Sequence, residues 1–151
     1  MQRYETLYAT VYYRSENDFY AFAKNIGSLG IFGRSVENAT ARTSARVDAV
    51  VNRVEDILDM HPPGLHVAVY IYPTKKEIEE TYRGMGIYSD APIAFYSHRR
   101  KAIFISAGDV TGGVFAHEFA HAVLSLYFVT PPPAKMQEIL AQFVDKHLGG
   151  E

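Results

Sequence analysis

The amino-acid sequence predicts an α+β fold, with a small mixed or antiparallel sheet backed by helices. Three observations carry that expectation. Short β-branched and aromatic runs alternate with longer stretches of helical periodicity, in the order βα, a long α, βα, a β-hairpin and two helices. Gly and Pro clusters close these stretches, and no internal repeat or low-complexity segment interrupts them. The 151 residues are a natural size for one domain, 1–151, and long enough to bury a core.

Each element has a local reason. Leu7 to Tyr13 (LYATVYY) reads as a strand. Ser15 or Asn17 can cap a short helix from Asp18 to Ile26, and Gly27, Gly30 and Gly33 then mark a loop. A long helix follows from about Val36 to Met60. Its residues Val47, Val50, Val51, Val54, Ile57 and Leu58 form one apolar stripe, and His61-Pro62-Pro63-Gly64 stops it. His66 to Tyr72 (HVAVYIY) reads as a central strand. Thr74 can cap Lys75 to Tyr82, with Gly84 and Gly86 ending that helix. Ile93 to Ser97 and Ala102 to Ser106 pair as a hairpin across the charged tip His98-Arg99-Arg100-Lys101. Asp109 or Thr111 can cap a helix from Gly112 to Phe128, Pro131-Pro132-Pro133 breaks the chain, and Ala134 to Leu148 forms the last helix.

Composition narrows the function classes. A formal charge of -2 gives no basic footprint for nucleic acid. No apolar run is long enough to form a transmembrane segment. The start, MQRYETLYATVYYRSE, lacks the basic and apolar regions of a signal peptide. That leaves a cytoplasmic protein, or a secreted one whose leader lies outside this sequence. With no cysteine, any metal must be held by His and carboxylate.

The segment GGVFAHEFAHAVLSLYF, Gly112 to Phe128, is apolar almost all round. Apart from Tyr127, its ionisable residues are His117, Glu118 and His121. At about 100° per residue, His121 lies about 40° from His117 and Glu118 about 100° away. Phe115, Phe119, Ala122, Val123 and Leu126 gather on the opposite side. A lone histidine on such a helix is ordinarily a core residue with one hydrogen bond. Two of them one turn apart, beside a carboxylate with no cation to pair it, are costly to bury. A divalent cation removes that difficulty, and His at i and i+4 can both reach one ion. HExxH is also the pattern in which the glutamate acts as general base.

A catalytic zinc takes three protein ligands and keeps one position open. The metzincin pattern would need Gly at 124 and His at 127, where this chain has Leu124 and Tyr127. In the last helix, Ile139, Leu140, Phe143 and Val144 read as an apolar back, and Glu138, Gln142 and Asp145 share the opposite face. Glu138 is the best third ligand, with Asp145 and His147 as alternatives. Gln142 is expected beside the ligands, and Asp145 is expected to hold the far N–H of a ligand histidine.

With HEFAH at 117–121 and EILAQ from Glu138, the chain resembles the gluzincin-type, thermolysin-like zinc metallopeptidases, in size their small single-domain minigluzincin forms. The resemblance implies a zincin-like fold, Zn²⁺ held by His117, His121 and Glu138, and Glu118 as the base acting on a metal-bound water. It implies a peptide or protein substrate lying along an edge strand just before the motif helix, a role that Ala102 to Ser106 would fill. A tyrosine or histidine that stabilises the oxyanion is also implied, with Tyr82, Tyr88, Tyr96, His98 and Tyr127 as candidates. Sixteen residues separate His121 from Glu138, short for the thermolysin-like pattern. Two alternatives follow: a zinc-stabilised peptide- or protein-binding module with weak or no catalysis, or a catalytic subdomain of a larger protein.

Overall fold

Five strands form one sheet in the order β1-β2-β3-β5-β4. They are β1 (Gln2–Glu5), β2 (Ala9–Tyr13), β3 (Val67–Tyr72), β4 (Ala94–Ser97) and β5 (Ala102–Ser106). The computed structural model describes residues 1–27, 36–88 and 91–148, with backbone alone at 36–38. Gly30 and Gly33 lie outside the described residues.

The three inner strands run parallel: Val11 stands beside Val69, and Val69 beside Ile103. The two outer strands are antiparallel to their neighbours. The sheet is therefore mixed, and the fold is α+β with five helices.

The period-2 alternation of β3 explains how both faces are covered. Val67, Val69 and Ile71 point into the main core with Ile103 and Ile105 of β5. That core is closed by α1 (Glu16–Asn25), α2 (Val36–Leu58) and α4 (Gly112–Tyr127) through Phe22, Val47, Val50, Val54, Phe115 and Phe119. The alternate residues Ala68, Tyr70 and Tyr72 face the other side. There α3 (Lys75–Gly84) lays Ile78 against Phe95 and Phe104. Tyr12, Tyr70, Phe104 and Phe95 stack in a row across that face at centroid spacings of 4.8, 5.2 and 4.8 Å.

The local signals read from the sequence largely hold. Ser15 caps α1 by accepting from the Asp18 N–H, and Thr111 caps α4 by accepting from the Val114 N–H. The 94–106 hairpin forms across a turn in which Lys101 adopts φ 50°. β1 is an added strand: QRYE has no apolar alternation, and backbone pairing with β2 recruits it.

Two expectations are corrected. Ala102–Ser106 is not an edge strand, because it pairs with β3 on one side and β4 on the other. The edge belongs to Ala94–Ser97. The hairpin brings β5 inward because its five residues are all buried, whereas β4 buries only Ala94 and Phe95.

The second correction concerns α5 (Ala134–Leu148), which packs antiparallel in sequence order after α4. Its buried residues are Ala141 and Val144. Ile139 and Phe143, expected in the apolar back, are 59% and 46% exposed. The helix packs through Ala141 and Val144, the latter as expected, brings Glu138 to α4 and leaves Ile139 and Phe143 outside.

Candidate metal centre

The site is built on α4. Phe115 and Phe119 are fully buried and pack edge-to-face at 5.3 Å, which fixes the rotation of the helix against the core. The opposite side then carries His117 and His121, both part-buried, with ring centroids 5.2 Å apart. This is the i, i+4 relation expected from 100° per residue.

The carboxylate of Glu138 comes from α5. Its Oε1 lies 3.0 Å from His117 Nε2, and its Oε2 lies 3.2 Å from His121 Nε2. One ligand atom from each of the three residues falls within 4.8 Å of the others, so the group could hold a metal ion.

The hydrogen bonds behind the histidines test whether this donor set suits a metal. Gln137 donates through Nε2 to the Pro132 carbonyl at 2.9 Å, which fixes its amide orientation. Its Oε1 is then an acceptor, 3.1 Å from His121 Nδ1. His121 must carry a proton on Nδ1 to make that bond, and its Nε2 is directed at Glu138. Two nitrogens and a carboxylate converging in this way form a donor set that a divalent ion fits. The Ser125 hydroxyl adds a longer contact to Gln137 Oε1 at 3.4 Å.

Glu118 sits beside this cluster and not within it. Burial pushes its carboxyl up to about 8, the charge of Glu138 adds to the rise, and a hydrogen bond from the Tyr96 backbone opposes it. Tyr96 belongs to the outer edge strand, so β4 borders Glu118 and the cleft.

The cleft in front of these residues has a volume of about 480 Å³. His117, Glu118, His121 and Glu138 line it, and β4 contributes Ala94 and Tyr96. His98 also lines it, with Nδ1 3.2 Å from the Tyr96 hydroxyl. Burial pushes the Tyr96 hydroxyl up to about 12, so it is a proton donor at neutral pH.

The structure thus brings together His117, Glu118, His121 and Glu138, and separates the others. Gln142 is exposed, and Gln137 makes the contact expected of it. Gln137 lies about 100° round the helix from Glu138, outside the polar face shared by Glu138, Gln142 and Asp145, so helical spacing alone favours Gln142. Among the described residues, Asp145 makes no hydrogen bond to His117 or His121. Its Oδ1 stands against Gly113 in the first turn of α4, 2.5 Å from where a β-carbon on that glycine would lie. His147 bonds the Phe143 carbonyl at 2.7 Å and stacks on its ring, outside the cluster. Of the oxyanion candidates, Tyr96 and His98 line the cleft. Tyr82 packs on Phe95 at 4.6 Å, Tyr88 is exposed, and Tyr127 is half exposed.

No protein-family model, curated protein or solved structure matches this chain. No described helix is long and apolar enough to cross a membrane.

Proposed function

We propose that the protein is a zinc-dependent peptidase of the zincin type. The observation that carries this reading is the convergence of His117 Nε2 and His121 Nε2 on the two oxygens of Glu138, with Glu118 one residue along the same helix. Imidazole and carboxylate donors in this number suit zinc better than the harder oxygen-seeking cations.

His117, His121 and Glu138 would hold the ion. When bound, zinc supplies a Lewis acid that polarises a carbonyl and lowers the pKa of a water molecule. The chain's own residues supply the rest. Beside a bound cation the Glu118 carboxyl would be drawn back down to its charged form, in which it can take a proton from the attacking water and deliver it to the departing amide nitrogen. Gln137 keeps His121 in the tautomer whose Nε2 faces the site.

β4 supports an extended peptide as the substrate. It is the last strand of the sheet, it lines the cleft, and the outward backbone groups that Glu118 does not engage can pair with a peptide backbone regardless of sequence. Substrate thus follows the outer strand at 94–97.

The test combines metal analysis with cleavage of quenched peptides. The parent is expected to carry one equivalent of zinc and to cleave in a chelator-sensitive way. Glu118→Gln should keep the zinc and lose about 10²–10⁴-fold in turnover. Equal turnover in parent and Glu118→Gln would refute the mechanism. Stoichiometric zinc with no cleavage by the parent would instead mark a zinc-stabilised binding module.

A further inference from the structure

We infer that the outer face of α5, with the turn leading into it, is a docking surface for an anionic lipid interface. Among the described residues, ten large apolar side chains are exposed, and six of them fall between 127 and 143. Met136, Ile139 and Phe143 stand on α5, 54%, 59% and 46% exposed. Tyr127, Phe128 and Val129 occupy the end of α4 and the turn that follows. Scattered apolar residues on a surface need no explanation, but a run of them on consecutive segments does.

The charges on that face select the occupant. The two acids of α5 are exposed but lie on its α4 side, Glu138 at the histidines and Asp145 at Gly113. The outward side keeps Lys135 and Lys146, both exposed. Eleven residues at 1.5 Å put them about 16 Å apart, within about 20° of one another around the helix and at opposite ends of the apolar ridge. A helix lying in an anionic interface uses this placement: lysines reach the headgroups while aliphatic and aromatic side chains sink below them.

A second copy fits less well. In an antiparallel pairing of two ridges, Lys135 of one copy would face Lys146 of the other, with no acid among the described residues of that face to offset them. The shape also favours a planar surface. The depression on the ridge is walled by Pro133, Lys135, Met136, Ile139 and Leu140, all from one segment. Among the described residues it has no second wall that would make it a groove for a protein partner. Lying on a membrane in this way needs no spanning helix, and it does not depend on whether Glu138 binds a metal.

The experiment is vesicle flotation of the full chain, with phosphatidylcholine alone and mixed with phosphatidylglycerol, at low and high salt. The parent is expected to float with the anionic vesicles at low salt and to stay in solution with the neutral ones. Ile139→Glu with Phe143→Glu should weaken binding at least about tenfold, since apolar burial and charge act together. Lys135→Glu with Lys146→Glu should remove the preference for anionic lipid. All four positions are exposed, and circular dichroism checks that each variant keeps its fold. A parent that floats with neither vesicle overturns the proposal. So does binding that survives both pairs of substitutions. Sedimentation equilibrium showing a dimer that Ile139→Glu dissociates would overturn it too, by assigning the face to a second copy. Anionic binding matched by an acidic peptide that displaces the vesicles would assign the face to a protein partner.

Discussion

Gln137 Oε1 accepts the proton on His121 Nδ1 at 3.1 Å, so α5 fixes the tautomer of a histidine on α4 as well as supplying Glu138 beside it. The two helices form one device, and neither carries a complete site alone.

Removing that hydrogen bond should weaken metal binding without removing a ligand. Gln137→Ala is expected to lower zinc affinity by about 10–100-fold, the usual effect of losing a group that orients a ligand histidine. Gln142→Ala, on the exposed side, should leave affinity unchanged. Competition against a chromophoric chelator measures both. Equal affinities in the two variants would refute the role given to Gln137.

Gly113 lets the Asp145 carboxylate lie against the first turn of α4. A β-carbon at 113 would fall 2.5 Å from Asp145 Oδ1, nearer than any ordinary contact. The atom it meets is the tip of an exposed side chain, so Gly113→Ala should turn that carboxylate aside and leave the helix that carries Glu138 in place. Alanine also favours the helix by about 1 kcal/mol over glycine, so a stability change within about 1 kcal/mol and unchanged zinc occupancy are expected. Adding Asp145→Ala should change neither further. Thermal melts and metal analysis on the single and double variants decide it. A large loss in the single variant that the double variant relieves would show instead that Asp145 cannot move.

Zinc should stabilise the fold through both helices. At a free-ion concentration of about 100 times Kd, linkage contributes about 2.7 kcal/mol. For a chain of this size, that corresponds to a rise in Tm of roughly 5–10 °C. His117→Ala and Glu138→Ala should each abolish most of the rise, whereas Glu118→Gln should keep it. Scanning calorimetry with and without chelator gives the comparison.

Glu55 gives a pH signature away from the cleft. It is 4% exposed on α2, and burial holds its carboxyl above the usual range, against the lowering influence of His61 and the Tyr8 hydroxyl. A carboxyl whose pKa is raised on folding favours the folded state in its neutral form. That contribution is full below the ordinary value of 4.5 and is lost as pH rises through the folded value. Glu55→Gln should therefore raise Tm by roughly 2–4 °C at neutral pH. The gain should vanish when melts are repeated below pH 4.5. A gain of equal size at both pH values would exclude ionisation of Glu55 as its origin.

The sequence by itself determined the local structure. The caps at Ser15 and Thr111, the 94–106 hairpin and the apolar stripe of α2 follow from turn chemistry and periodicity within a few residues. So does the pairing of His117 with His121, because a helix places residues four apart on one side whatever surrounds it. The choice of Glu138 also rested on helical spacing, and the carboxylate does stand between the two imidazoles.

Tertiary structure decided the rest. Which strand is the edge depended on how the hairpin inserts, and both of its strands are apolar enough for either place. The rotation of α5 was also decided there, with Ala141 and Val144 buried and Ile139 and Phe143 of the same apolar set outside. The reason lies on α4, whose front presents two imidazoles and a carboxyl that need partners. An unmet polar group in a part-buried site costs more than an apolar side chain left in contact with solvent. Gln137, Glu138 and Asp145 therefore face α4, and Ile139 and Phe143 stand outside. The spacing within α5 placed Glu138, but it could not set the rotation that puts Gln137 behind His121 and Ile139 and Phe143 outside, because the deciding groups are on the other helix.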